Sequence, residues 1–372
     1  MNEINSKLID TCLHTANASE KEAEDGIMHL RKIQDADVAG KRVILRVDFN
    51  VAIEEGRVKE SFKILAAKES IDYLLNKKCK VALISHLGRP EGKVDPKFSL
   101  GQVVSDAEII LGEKITFVPD CVGEKVREAL ENLGEGVLLL ENVRFYAGDE
   151  KNDTDFSAQL AENFDFFVND AFSASHRDHA SVAGVARILP SAAGCRLQEE
   201  IAEMTIVKEH PIHPAVAIIG GAKIETKLPV IKFFEEKYDY ILVGGRIANE
   251  AIDQKIKFSE KVILPFDFID DRLDIGPKTL DKFKEIIAAA KTIVWNGPTG
   301  KFEEEKYAVS SNEILKAVLV SGAFVLIGGG ETLEILERND AMEKVDFVST
   351  GGGAMLDYLG GEVMPGIAAL EE

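Results

Sequence analysis

Five times in the second half of this chain, a short and largely apolar run stops at a glycine cluster. Ala215–Ile219 meets Gly220-Gly221-Ala222-Lys223, and Tyr240–Val243 meets Gly244-Gly245. Thr292–Trp295 meets Asn296-Gly297-Pro298, and Phe324–Ile327 meets Gly328-Gly329-Gly330-Glu331-Thr332. Asp346–Val348 meets Ser349-Thr350-Gly351-Gly352-Gly353. Apolar runs of this length without alternation predict strands of a parallel sheet buried on both faces. Ligands of such sheets bind beyond the carboxyl ends of the strands. Glycine there lets backbone N–H groups close on a phosphate at a helix N-terminus. One such junction is ordinary loop chemistry; five in one half predict a site for a nucleotide polyphosphate.

The first half follows the same plan with different chemistry. Its strand-like runs are Val43–Val47, Val81–Ser85, Val137–Leu140 and Phe166–Val168, with helical patterns such as Ile64–Asn76 and Phe156–Asn163 between them. This alternation predicts βαβ units and a second parallel sheet. Leu197–Lys208 reads as a charged linker helix that ends before His210-Pro211-Ile212-His213-Pro214. The predicted fold class is therefore α/β: two doubly wound, Rossmann-like parallel-sheet lobes with a cleft and a linker helix between them. The expected divisions are an acidic N-terminal extension over 1–30, a first lobe over 31–196, the linker over 197–209, a second lobe over 210–355 and a C-terminal segment over 356–372. The first 30 residues hold six carboxylates and two lysines and no strand-like run. They read as a short acidic helix or a disordered lead, and Met28 stands where a natural start would exclude them.

A chain of 372 residues that is 45% hydrophobic can bury two cores. Its formal net charge of −20 argues against a nucleic-acid or anionic-membrane surface. A small anionic substrate remains compatible, because a few arginines make a local positive pocket. Cys12, Cys79, Cys121 and Cys195 form no C-x-x-C pair and read as reduced thiols, which points to the cytoplasm. No apolar run approaches the roughly 18–20 residues of a membrane span, and the N-terminus lacks a basic-then-apolar signal pattern.

Basic and hydrogen-bonding residues follow the first-half strands. Asp48 and Asn50 follow the first; His86-Leu87-Gly88-Arg89-Pro90 follows the second; Glu141-Asn142-Val143-Arg144 follows the third; Asn169-Asp170 and then His176-Arg177-Asp178-His179 follow the fourth. Each arginine alone reads as a solvated surface residue, and His176 with His179 offers a metal pair without a third ligand. Four strand exits aimed at one place would bring Arg89, Arg144, Arg177 and His86 together, with Asp48 and Asn50 able to bind a hydroxyl. Several guanidinium forks suit a phosphate plus a carboxylate.

At this point the chain resembles the phosphoglycerate kinases, from about Leu30 to the C-terminus. The resemblance rests on Arg46-Val47-Asp48-Phe49-Asn50-Val51, Ser85-His86-Leu87-Gly88-Arg89-Pro90, Leu140-Glu141-Asn142-Val143-Arg144-Phe145, Asn169-Asp170-Ala171-Phe172, Gly220-Gly221-Ala222-Lys223, Val294-Trp295-Asn296-Gly297-Pro298 and Ser349-Thr350-Gly351-Gly352-Gly353-Ala354. It implies reversible phosphoryl transfer between 1,3-bisphosphoglycerate and ADP, giving 3-phosphoglycerate and ATP, with Mg2+ accompanying the nucleotide, in a monomer. By resemblance Asp48, Asn50, His86, Arg89, Arg144 and Arg177 hold the glycerate and its phosphate. Gly220, Gly221, Lys223, Lys227, Asn296, Glu303, Gly328, Gly329, Gly330, Glu331 and Thr332 form the nucleotide set, with Glu331 on the metal. Lys63, Lys223, Gly351 and Gly352 act on the transferring group, the Gly351–Gly353 amides stabilising its charge. Met364-Pro365-Gly366-Ile367 resembles a tail that packs back on the first lobe. The chain has no G-x-x-x-x-G-K-[ST] loop and no complete G-x-G-x-x-G after a strand, which removes the Walker kinases and weakens a dinucleotide dehydrogenase.

Several positions depart from the family pattern. Lys63 stands where the family has an arginine on the transferring phosphate, keeping the charge without the fork. Losing one transition-state donor costs roughly 100- to 1,000-fold, and lysine loses less because an ammonium still reaches one oxygen. Glu331 replaces an aspartate, Val243-Gly244-Gly245-Arg246 replaces a triple glycine and methionine, and Lys301 replaces a small apolar residue. The segment between Asn249 and Lys261, and the one before Asp274-Ile275-Gly276-Pro277, are shortened, so base selectivity does not carry over. Pro229 is expected to break or restart its helix near Leu228, and Cys195-Arg196 replaces an apolar pair. Two further readings stay open on the sequence: a kinase-fold binding protein for phosphoglycerate with weak or no transfer, and a sugar- or acyl-phosphate kinase with another donor.

Overall fold

The computed structural model describes residues 30–371; the expectations for the acidic lead and for Met28 lie outside the described residues. Twelve strands make two six-stranded parallel sheets. The first holds β1 (Arg42–Arg46), β2 (Lys80–Ile84), β3 (Ile115–Val118), β4 (Val137–Leu140), β5 (Phe166–Asn169) and β6 (Ser191–Ala193), in the order β3-β4-β2-β1-β5-β6. The second holds β7 (Ala215–Ile219), β8 (Tyr240–Val243), β9 (Val262–Ile263), β10 (Thr292–Asn296), β11 (Phe324–Gly328) and β12 (Phe347–Val348), in the order β9-β8-β7-β10-β11-β12. In each sheet the chain leaves two adjacent strands in opposite directions. These strands are β1 beside β5, with Arg46 level with Asn169, and β7 beside β10, with Ile219 level with Asn296. Such reversals open a crevice at the strands' carboxyl ends, where ligands of open α/β sheets bind.

Alternation along each strand sorts the core. Val43, Leu45, Val81, Leu83 and Val168 face one way and bury Ile64, Ile71 and Leu74. Val216, Ile218, Ile293, Trp295 and Ile327 do the same in the second sheet against Phe283, Ile287 and Ile314. The opposite faces, Ile44, Ile84 and Phe167 in one sheet and Ala217, Ile219 and Val294 in the other, join one continuous core. The Cys195–Glu209 helix threads that core with Leu197, Ile201, Met204 and Val207. Its start is fixed in the first lobe, where Leu197 N donates to Asp170 Oδ1 at 3.0 Å and Cys195 N to Ser70 Oγ at 2.8 Å. Its end is fixed in the second, where Tyr238 Oη donates to Val207 O at 2.8 Å and Lys208 Nζ to Tyr358 O at 3.0 Å.

The Ile64–Asn76 pattern resolves into two helices, Phe62–Leu65 and Lys68–Asn76. The turn at Ala66-Ala67 lets Lys63 face the crevice while Ile71 and Leu74 face the core. Pro229 lies in the first turn of the Leu228–Lys237 helix, where its missing N–H loses no bond; a short 3-10 turn, Ile224–Thr226, precedes it. Near the C-terminus, Asn169 Nδ2 donates to Gly366 O at 3.2 Å and Gly366 N to Ser175 O at 2.9 Å. A Cβ at Gly366 would come within 2.5 Å of Val182, so only glycine fits against the first lobe there. Among the described residues, no helix is long and apolar enough to cross a membrane.

Candidate active site

The crevice of the first sheet gathers cations. Arg46 closes β1 with 1% of its surface exposed, a buried arginine after three apolar strand residues. Its Nη2 donates to His86 Nδ1 at 3.0 Å, and its Nε has no partner among the described residues. An arginine can only donate, so His86 Nδ1 is the acceptor and Nε2 carries the proton. Burial holds the His86 pKa well below the usual histidine value, and the charges of Arg46, Arg144, Arg177 and Lys63 push the same way. His86 is therefore a neutral donor inside a ring of four cations. Burial, with Arg177 nearby, lowers the Arg144 guanidinium to about 10; its Nη1 donates to Gly88 O at 2.7 Å. His179 is held at about 4 by burial against the opposing pull of Asp149. Arg177 Nε donates to His176 Nε2 at 3.2 Å.

Asp48 and Asn50 frame the opening. Asn50 N donates to Asp48 Oδ1 at 3.1 Å, and Gly88 N donates to Asn50 Oδ1 at 2.9 Å. Lys63 Nζ, from the Phe62–Leu65 turn, lies 3.1 Å from Asn50 O and 3.7 Å from Asp48 Oδ2. Asp48, Asn50, His86, Arg144, Arg177 and Lys63 thus converge. Arg89 sits on the same loop but is exposed and makes no side-chain hydrogen bond among the described residues.

The second crevice is built from backbone. Gly220 N donates to Asn296 O at 2.8 Å and Gly221 N to Pro298 O at 3.3 Å. A Cβ on Gly220 would stand 2.0 Å from Pro298 O, so the two loops touch only because the residue is glycine. Gly297 N donates to Thr332 Oγ1 at 2.7 Å, tying β10 to the start of the Gly330–Arg338 helix. Beside these loops lies a cavity of about 440 Å3 lined by Gly221, Gly245, Phe302, Glu303 and Glu331 among others. Arg246, Arg272 and Lys301 also border it, turned to Glu250, Asp253 and Glu304. Burial and the Glu303 charge raise the Glu331 pKa. Lys227 Nζ bonds Asn296 Oδ1 at 2.6 Å, and burial lowers it to about 8. Lys223 is exposed, with no side-chain hydrogen bond among the described residues.

The Gly352–Leu359 helix points its N-terminus at the junction. The Gly351 N–H is already bonded to Ser349 Oγ at 3.1 Å, so the free donors are the first-turn amides from Gly352 onward. Gly329 and Gly352 meet closely: a Cβ on Gly352 would lie 2.9 Å from Gly329 Cα. The two crevices are linked by adjacent residues. Ser173 Oγ donates to Asp48 Oδ2 at 2.6 Å, while Phe172 packs against Gly351 and edge-on to Tyr358 at 6.1 Å. Asp357 lies within the electrostatic reach of both His176 and Lys227. Sequence reasoning assigned no role to Arg46, Ser173 or Asp357. Arg46 carried a signal, a charge directly after the apolar Val43–Leu45 and before Val47; Ser173 and Asp357 carried none.

A cation-ringed crevice facing a glycine-lined, lysine-bearing crevice across two parallel sheets defines a two-lobed phosphotransferase. The family model described as phosphoglycerate kinase matches residues 33–260 and 251–362. The phosphoglycerate kinase of Coprothermobacter proteolyticus is 38% identical over 92% of this chain and 99% of its own, and that of Moorella thermoacetica is 39% identical over 91% and 98%. The structure of phosphoglycerate kinase from Coxiella burnetii superposes with a TM-score of 0.77 at 32% identity, covering 92% of this chain and 98% of that one. The Pyrococcus horikoshii enzyme gives 0.82 at 28% identity with the same coverage. This chain belongs to the phosphoglycerate kinase family. It is a kinase of glycolysis that uses a nucleotide substrate.

Proposed function

We propose that this chain moves the acyl phosphate of 1,3-bisphosphoglycerate to ADP, and runs the reverse at high ATP. The observation that carries the site assignment is the neutral His86 inside four cations, with Asp48 and Asn50 at the rim. That arrangement suits a ligand with a phosphate, a carboxylate and a hydroxyl. The residue groups 31–196 and 210–355 then serve as the phosphoglycerate and nucleotide lobes. Arg144 and Arg177, with Arg89 from the exposed loop, hold the phosphate; Asp48 and Asn50 take the hydroxyl; the His86 Nε2–H donates to the substrate.

In the forward direction an oxygen of the ADP β-phosphate attacks the acyl phosphorus in line, and the carboxylate leaves with the bonding pair. No proton moves, so the protein supplies alignment and charge. Lys63 meets the transferring group from the first lobe. Lys223, Lys227 and the amides of Gly352 and Gly353 meet it from the second. Glu303 binds the ribose. Among the described residues no three His, Cys, Asp or Glu side chains are placed to hold a metal by themselves. Glu331, a carboxylate at the cavity with a raised pKa, suits Mg2+ that is otherwise held by nucleotide phosphates and water. Bound there, Mg2+ neutralises charge on the phosphates. Closure excludes water from the acyl phosphate. The enzyme works in this reading as a cytoplasmic monomer.

The test is a coupled assay with 3-phosphoglycerate, Mg-ATP and the downstream dehydrogenase. Turnover should fall about 100-fold in Lys63→Ala and persist in Lys63→Arg. A wild-type chain that binds 3-phosphoglycerate by calorimetry yet shows no turnover would refute the proposal.

A further inference from the structure

Arg196, in the first turn of the linker helix, touches both lobes at once. Its side chain is 11% exposed and pairs with Glu200, which is fully buried. Nε and Nη2 donate to Glu200 Oε1 at 3.2 and 3.0 Å, Nη1 donates to Glu199 at 2.6 Å, and Nη2 also reaches Val348 O on β12. Its guanidinium carbon stands 4.7 Å from the Phe347 ring centroid and 5.4 Å from that of Phe62. Phe347 belongs to the second sheet. Phe62 belongs to the first lobe, immediately precedes Lys63, and packs on the second lobe's core. The same Glu200 Oε1 accepts from Thr350 N and Thr350 Oγ1, both at 2.7 Å. Two residues further on, the Gly352 helix begins.

One planar cation therefore connects the turn that carries Lys63 to the loop that presents the Gly352 amides. A charged residue on a linker helix ordinarily lies along its solvent face; this one is nearly enclosed and crosses lobes. Lysine could not replace it, because a point charge lacks the planar face and the fork. We infer that Arg196 is a positioning residue for transfer: it sets Lys63 relative to the Gly352 amides when the lobes close. The inference rests on Lys63 facing the transferring group, as proposed above.

A double-mutant cycle tests it. Arg196→Met, Lys63→Ala and the double variant are assayed for kcat and both KM values, with melting temperatures measured in parallel. Arg196→Met should lower kcat about tenfold with each KM within about twofold, because misplacement acts on the transition state. On the Lys63→Ala background the same change should lower kcat less than about twofold. An unchanged kcat in folded Arg196→Met, or the same tenfold loss on both backgrounds, overturns the inference. If Arg196→Met does not fold, Arg196→Lys carries the cycle under the same criteria. A normal kcat in Lys63→Ala would instead overturn the Lys63 reading, and the inference with it.

Discussion

Replacing Lys227 with methionine should stabilise the fold and remove nucleotide binding. Among the described residues the Lys227 ammonium has one hydrogen bond, to Asn296 Oδ1, and burial lowers its pKa from 10.5 to about 8. Glu331 and Asp357 pull it back only in part. That depression corresponds to a folding cost of about 3 kcal/mol. Below pH 8 the lysine is charged in both states and the full cost is present. Between about pH 8 and 10.5 the unfolded chain keeps a proton that the folded chain has released, so stability rises with pH in that window. Methionine fills a similar space but forfeits a charged hydrogen bond of about 1.5–3 kcal/mol, leaving a net gain of about 1 kcal/mol near pH 7. Urea unfolding followed by Trp295, the chain's one tryptophan and fully buried in the second lobe, reads the gain directly. The gap between variant and wild type should shrink and reverse by pH 10, while calorimetry finds Mg-ATP affinity lost. A variant less stable than wild type at pH 7, or a gap that ignores pH, would refute the argument that buried charge at Lys227 is held against folding.

Glu331→Gln keeps the shape and removes the charge; Mg-nucleotide affinity should fall about tenfold by calorimetry with 3-phosphoglycerate affinity unchanged. Equal Mg-nucleotide affinity in the variant would take Glu331 off the metal. Arg89→Ala should leave the melting temperature unchanged, because the side chain is exposed and unpaired among the described residues. Its KM for 3-phosphoglycerate should rise several-fold, and an unaltered KM would exclude Arg89 from the substrate site.

Five strands of the second sheet were readable because they are largely buried and run into glycine-bearing loops, so composition and boundary coincide. β7 and β8 begin and end where the apolar runs do. The edge strands β3, β6 and β9 carried no such signal. Ile115–Val118 has one exposed and one half-buried position, Ser191–Ala193 is made of small residues and Val262–Ile263 is two half-buried residues, so none shows an apolar run. The convergence of Asp48, Asn50, His86, Arg144 and Arg177 was legible because each follows a strand of one sheet. Ser173 was not, since its bond to Asp48 spans 125 residues and no local pattern encodes it. Arg196 was visible only as a break in an expected apolar pair, and its meaning depends on Phe62 and Phe347, which the fold alone brings to it.

The residues that break local rules share one physical character. Arg46 is a cation buried at the end of the strand β1, and Lys227 is a cation buried beside a glycine loop. Each is buried without a carboxylate hydrogen-bonded to it among the described residues, each has its pKa lowered by burial, and each lies at a crevice where a sheet reverses direction. In a chain with a net charge of −20 these sites would be poor investments for stability alone. An anionic ligand would offset that cost by pairing with cations set in a low-dielectric crevice. Under the proposed function, each lobe holds a buried cation that its own anionic substrate would pair. Ser173, bonded to Asp48, adjoins Phe172, which packs against Gly351, so neighbouring residues span the two crevices.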